Sequence, residues 1–257
     1  MFVLPARAFV APDGKGRNGV VAAGLAVDAK TGMPPGRAEI FVFVFEKGGP
    51  AVRALRTEMD FAKMAGRTIF PYVSIPFPSG EYEVRFVARD PATGQAAAGA
   101  ASFSVPAAEG KGVRFNTPLL VVTGREASYL KLNWPGRGAE PSTFADFYPF
   151  LPKNGGPLLG PLRTREKTLL AVLTAEFPAG AAAPKASLDF RLTDAAGSAF
   201  PVGTKIVESK KLDATRSAIA LEIDLPDLSP GDYTLEITAT DSASKTAHPL
   251  RSAFSVI

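Results

Sequence analysis

A repeat that holds its register over 151 residues governs how this chain can fold. Gly80-Glu81-Tyr82-Glu83-Val84-Arg85-Phe86-Val87-Ala88-Arg89-Asp90 returns as Gly231-Asp232-Tyr233-Thr234-Leu235-Glu236-Ile237-Thr238-Ala239-Thr240-Asp241. At the same offset, without a gap, Phe103-Ser104-Val105 returns as Phe254-Ser255-Val256. Two copies of one supersecondary unit, each closing its half of a 257-residue chain, predict two domains of one fold. The first spans 1–106 and the second 117–257, joined by a small, flexible linker over 107–116 that includes Ala107-Ala108-Glu109-Gly110-Lys111-Gly112.

Within each copy Tyr82, Val84, Phe86 and Ala88, or Tyr233, Leu235, Ile237 and Ala239, fall on alternate positions and so on one face of a strand. The intervening positions are mostly polar, the pattern of an antiparallel sheet with one wet side. Ile219, Leu221, Ile223 and Leu225, and Leu188, Phe190 and Leu192, repeat that alternation. Ile40 to Phe45 is a continuous apolar run of β-branched and aromatic residues, which predicts a central strand covered on both sides or meeting the second domain. No stretch sustains helical spacing; Met59 to Ala65 makes at most one turn. The fold class is therefore all-β.

Each repeated strand is entered by a turn that delivers a tyrosine: Pro76-Phe77-Pro78-Ser79-Gly80-Glu81-Tyr82 and Pro226-Asp227-Leu228-Ser229-Pro230-Gly231-Asp232-Tyr233. This resembles the tyrosine corner of immunoglobulin and fibronectin type III sandwiches, where the hydroxyl bonds to nearby backbone. The resemblance implies two tandem immunoglobulin-like or fibronectin III-like β-sandwiches, with Tyr82, Tyr233, Gly80, Gly231, Asp90 and Asp241 as structural residues. The strands end in turns, Asp90-Pro91-Ala92-Thr93-Gly94 in the first copy and a looser Asp241-Ser242-Ala243-Ser244-Lys245 in the second.

Composition removes several classes of chemistry. With no Cys and one His, the chain lacks the usual ligands of zinc, copper and haem, as well as disulfides and thiol nucleophiles. No metal site and no cofactor are expected. Net charge is +4 and spread out: 12 basic and 9 acidic side chains over 1–106, 2 and 1 over 107–116, 15 and 15 over 117–257. Nucleic acid is excluded as a partner, because a phosphate-binding face needs clustered Lys and Arg. The start, Met1 to Arg7, shows no secretion signal, and the run from Pro91 to Ala108 is too polar and too broken to span a bilayer.

Four groups of residues invite a functional reading. Trp134, the only tryptophan, precedes Phe144, Phe147, Tyr148 and Phe150 in a proline-stiffened stretch, 134–161, that exceeds what a sandwich needs. Such rings stack on a sugar or grip an extended peptide if exposed, and pack on the sheet or the domain junction if not. Asp224, Asp227 and Asp232 offer oxygen ligands, but their spacing matches no calcium loop, and turn formation explains them. His248 has no nucleophile elbow beside it, so a hydrolase is disfavoured. Asp13-Gly14-Lys15-Gly16-Arg17-Asn18-Gly19 reads as a hairpin or loop and lacks the phosphate-loop spacing.

With Gly80, Tyr82, Asp90 and Gly94 in one half and Pro230, Gly231, Tyr233 and Asp241 in the other, the chain resembles the C-terminal region of bacterial VWFA-related (von Willebrand factor type A) exported proteins. The metal-binding A domain of that family, with its Asp-x-Ser-x-Ser motif, is absent; Asp241-Ser242-Ala243-Ser244 misses the spacing. The resemblance implies an extracytoplasmic accessory region with a protein partner or an upstream VWFA domain. The expected function is a non-enzymatic structural or protein-interaction module, with polysaccharide binding through the aromatic stretch as the alternative.

Overall fold

The computed structural model describes residues 2–12, 18–26, 36–62, 68–105, 113–124, 127–132, 144–152, 154–178, 186–241 and 245–257. Strand accounts for 67% of it and helix for 3%, so the all-β expectation holds. In chain order the first strands are β1 (Phe2–Val3), β2 (Ala6–Pro12), β3 (Asn18–Ala23), β4 (Leu25–Ala26), β5 (Arg37–Glu46), β6 (Ala51–Asp60) and β7 (Thr68–Phe77). They are followed by β8 (Gly80–Arg89), β9 (Ala96–Val105), β10 (Arg114–Phe115), β11 (Leu119–Thr123) and β12 (Ala127–Lys131). After the single-turn helix α1 (Phe144–Phe147) come β13 (Gly155–Pro157), β14 (Thr168–Glu176), β15 (Ala186–Asp194) and β16 (Ala199–Phe200). The chain closes with β17 (Gly203–Lys211), β18 (Arg216–Asp224), β19 (Gly231–Asp241) and β20 (Ala247–Val256).

These elements form two compact units. Unit 1 comprises Met1–Val10, Arg17–Ala108 and Arg125–Phe144. One of its sheets runs β1, β9, β8, β5, β6, and the other β12, β7, β3, β2 with β4 also on β7. Ile40, Val42, Val44, Val84 and Phe86 from the first sheet share one core with Ile69, Val73 and Phe77 from the second. Each alternate side chain thus leaves water for a common apolar layer. Unit 2 comprises Ala11–Gly16, Glu109–Gly124 and Ala145–Ile257. Its sheets run β13, β11, β14, β18, β17, with β10 on β14, and β16, β15, β19, β20. Leu169, Leu173, Leu221 and Ile223 meet Leu192, Leu235, Ile237 and Phe254 in its core.

The units do not follow the expected division into 1–106, 107–116 and 117–257. Ala127–Lys131 was expected in the second domain, but β12 lies parallel to β7 of unit 1, from Ala127 opposite Thr68 to Lys131 opposite Tyr72. The ladder continues through the Leu132 N–H, which donates to the Tyr72 carbonyl at 2.8 Å. Arg114 and Phe115, expected in the linker, pair with Glu176 and Ala175 of β14, and the Arg114 guanidinium meets the Glu176 carboxylate. Residues 106–112 lie outside the described residues.

The repeat survives residue by residue. In both hairpins glycine opposes valine and tyrosine opposes phenylalanine: Gly80 with Val105 and Tyr82 with Phe103, Gly231 with Val256 and Tyr233 with Phe254. The turns also match. Asp90 N–H donates to Gln95 O and Gly94 N–H to Asp90 O; Asp241 N–H donates to Thr246 O and Lys245 N–H to Asp241 O. The second turn is therefore not looser in its described hydrogen bonds, and Lys245 adopts φ 60° where Gly94 has φ 71°. Left-handed backbone is natural for glycine and costly for lysine.

One local expectation changes. In β5, central between β8 and β6, Ile40, Val42 and Val44 are buried, but Phe41, Phe43 and Phe45 on the other face are only half-buried. Guanidinium groups lie over two of them: Arg56 is 5.9 Å from the Phe41 centroid and Arg85 4.6 Å from that of Phe45. Met59 and Asp60 end strand β6 and Ala62 has the conformation of a helical turn, within the one turn expected, while residues 63–65 fall outside the described residues. The strands flanking the Asp13–Arg17 loop, β2 and β3, are neighbours in one sheet; the loop itself is outside the described residues.

Candidate functional site

The tyrosine corners are built alike in the two units. Tyr82 donates its hydroxyl to the Pro78 carbonyl at 3.2 Å, and Tyr233 donates to the Ser229 carbonyl at 2.9 Å. Both acceptors lie four residues upstream. Gly80 (φ 155°) leaves the space that the first ring fills, since a Cβ there would stand 3.3 Å from both Cε2 and the hydroxyl of Tyr82. The rings pack on their partners, 5.5 Å from Tyr82 to Phe103 and 6.0 Å from Tyr233 to Phe254. Burial, with the charge of Glu46 second, raises the Tyr82 pKa, so the hydroxyl remains a donor at neutral pH. Asp90 performs the turn role: its carboxylate accepts the Ala92 N–H at 2.8 Å and the Thr93 hydroxyl at 2.7 Å. These bonds, the side-chain bond first, lower its pKa. Asp241, at the equivalent position, is buried.

Three of the four described rings of the aromatic stretch turn inward. Phe144 is buried between Tyr129, 4.7 Å away, and Tyr72, 5.1 Å away. In unit 2 the Thr174 hydroxyl donates to the Phe147 carbonyl at 2.8 Å, and Tyr148 donates to the Thr117 carbonyl at 2.9 Å. Phe147 and Tyr148 are both buried, and burial pushes the Tyr148 pKa well up. Phe150 is half-buried with φ 68°, while Trp134 lies outside the described residues. Phe144, Phe147 and Tyr148 therefore belong to packing and cannot stack on a sugar. Nor is all of 134–161 a surplus loop. Gly155–Pro157 is the buried strand β13 on β11, and Leu158 is buried in the core beyond it. Gly155 is there because a Cβ would come within 2.4 Å of Pro152 and 2.9 Å of Val121.

The acidic trio is dispersed among separate partners. Asp224 accepts the Thr168 hydroxyl at 3.3 Å, Asp227 pairs with Lys167 at 2.7 Å, and Asp232 accepts the Ser255 hydroxyl at 2.5 Å. The Lys167 ammonium, through its hydrogen bond and then its charge, lowers the Asp227 pKa. Among the described residues no three acidic or histidine side chains converge as a metal site would require. His248 faces the Phe115 ring at 5.3 Å and sits opposite Ala239 in the ladder. Asn116 knits β10 to β14, accepting the Thr174 N–H at 2.7 Å.

Two exposed features escaped sequence reading. One is the half-buried phenylalanine ladder of β5, whose neighbouring charges are already paired, Arg56 with Glu39 and Arg85 with Glu83. The other is β17, a nine-residue strand exposed along its whole length. Its cue was present in the sequence, Ile206-Val207 between Lys205 and Glu208, but an apolar pair ordinarily signals burial. No helix among the described residues is long and apolar enough to cross a membrane.

No protein-family model and no curated protein matches the chain. Among solved structures it is similar to a family 123 glycoside hydrolase from Clostridium perfringens, at 10% identity and a TM-score of 0.27, over 35% of this chain and 21% of that one. It is also similar to an exo-chitosanase from Amycolatopsis orientalis, at 11% identity and a TM-score of 0.23, over 98% of this chain and 26% of that one. The chain thus spans about a quarter or less of either protein, and likenesses this weak bear on neither fold nor function.

Proposed function

We propose that the chain is a non-enzymatic structural or protein-interaction module made of two immunoglobulin-like or fibronectin III-like sandwiches. The observation that carries this reading is the twice-built corner hairpin, in which glycine, tyrosine, phenylalanine and a turn aspartate recur with the same pairing. Side chains that chemistry would draw on have scaffold duties instead: Asp224, Asp227 and Asp232 bind separate strand or loop partners, and His248 packs at a tilt against Phe115 in a strand ladder. Polysaccharide binding through the aromatic stretch is not favoured, because three of its five rings are in cores. The VWFA-related resemblance rests on Gly-x-Tyr turns common to such sandwiches, and the extracytoplasmic placement stands or falls with it.

The test is incubation of the purified chain with chromogenic glycosides and esters and with insoluble polysaccharides. The reading predicts no turnover and no saturable retention. Turnover abolished by His248→Ala or Asp227→Asn would overturn it.

A further inference from the structure

We propose that the free edge of β17 is a docking site for an extended acidic segment of another protein chain, which joins the sheet as one more strand. This deepens the interaction-module reading and rests on it. β17 pairs with β18 alone and ends its sheet, so alternate N–H and C=O groups along Gly203–Lys211 point away from any partner strand. Two other long strands end sheets, β6 and β20 with ten residues each, but both bury part of one face, whereas β17 is exposed at every position.

Its apolar residues are the second observation. The described residues contain four exposed large hydrophobic side chains, and two are adjacent here, Ile206 at 61% and Val207 at 54%. Ile206 stands opposite Leu221, which is 2% exposed in the core. It therefore lies on the core-facing side of its sheet and is nonetheless exposed. An added strand would supply both the missing hydrogen bonds and an apolar side chain over Ile206.

Charge selects the occupant. Lys205, Lys210 and Lys211 outnumber Glu208 on the strand, and none of the three lysines forms an ion pair among the described residues. On the neighbouring sheet, by contrast, Glu236 already holds Arg251. A bulge between Ile206 and Glu208 adds local twist. Lysines and a bulge repel indiscriminate edge pairing, a second like-charged copy included, while leaving an acidic strand favoured.

The experiment uses the full chain and two fluorescent peptides: acetyl-Asp-Glu-Ile-Thr-Val-Thr-Asp-amide, and the same peptide with lysine at each acidic position. The acidic peptide is expected to bind roughly tenfold tighter than its lysine counterpart, with the gap narrowing as salt is added. Hydrogen-exchange protection should be confined to 203–211. The paired change Lys210→Glu with Lys211→Glu should reverse the preference, and Ile206→Thr should weaken the acidic peptide several-fold. These positions are exposed, so the variants keep the parent's thermal midpoint. No binding by either peptide, equal binding by both, or protection elsewhere would overturn the docking edge. None of those results would touch the module reading, which only turnover or polysaccharide retention contradicts.

Discussion

Tyr82→Phe and Tyr233→Phe each remove one hydroxyl and leave a ring in place. Tyr82 retains its packing on Phe77 and Phe103, and Tyr233 on Phe200 and Phe254, so the hydrophobic term is preserved. What is lost is one neutral hydrogen bond, worth about 0.5 to 1.5 kcal/mol net. A larger orphaning penalty does not apply, because Pro78 and Ser229, whose carbonyls accept these bonds, are exposed and water can replace the hydroxyl. Geometry separates the two sites: 2.9 Å for Tyr233 is a well-formed bond, and 3.2 Å for Tyr82 is long for one between oxygens. The expected losses are about 0.5 kcal/mol for Tyr82→Phe and about 1 to 1.5 kcal/mol for Tyr233→Phe. Urea unfolding followed by circular dichroism reads them, and the double variant should show their sum, since the rings lie in different cores. Unchanged midpoints in both single variants would refute the corner. A loss of about 3 kcal/mol or more in either would mean that the carbonyl is cut off from water, contrary to the geometry.

Lys245→Gly should stabilise by about 0.5 kcal/mol, because relief of left-handed backbone strain exceeds the added chain entropy, and Gly94→Lys should destabilise; thermal midpoints check both signs. Gly155→Ala should cost about 1 to 3 kcal/mol, since its Cβ overlaps Pro152 and Val121; an unchanged midpoint would place β13 elsewhere. Burial raises the pKa of Tyr129 and Tyr148 in the folded state. Their contribution is complete below the unfolded-state value of about 10 and falls above it, as the unfolded chain releases protons that the folded one keeps, by about 1.4 kcal/mol per pH unit per group. Tyr148→Phe should flatten that alkaline decline in a pH series of unfolding midpoints, and an unaltered slope would contradict its burial.

Local patterns made the repeated hairpins legible, because alternation fixes strand faces and Gly-x-Tyr fixes the entry to each strand. The register of Tyr82 with Phe103 and of Tyr233 with Phe254 follows from the matching turns. β12 was not legible as part of unit 1. Ala127 to Lys131 is a short segment, and nothing local states that its partner is β7, some sixty residues upstream and parallel to it. Gly155–Pro157 was hidden because glycine and proline signal loops, and only the close approach of Pro152 and Val121 shows why glycine is needed there. The same limit explains the aromatic stretch. Proline spacing left open whether the rings face solvent or the sheet, while the bonds from Thr174 and to Thr117 that draw Phe147 and Tyr148 inward join residues distant in sequence. The β17 edge was missed for the opposite reason, since exposure of Ile206 depends on which sheet faces it.

Amide hydrogen exchange on the parent chain and on Tyr82→Phe tests the architecture most directly, because each unit should respond as its own cooperative body. The account predicts that Ala127–Lys131 exchanges together with Thr68–Phe77, and that Tyr82→Phe speeds exchange in both while leaving Arg216–Asp224 and Gly231–Asp241 at parent rates. Protection of Ala127–Lys131 that instead follows Leu119–Thr123, or a uniform loosening of the whole chain by Tyr82→Phe, would contradict it.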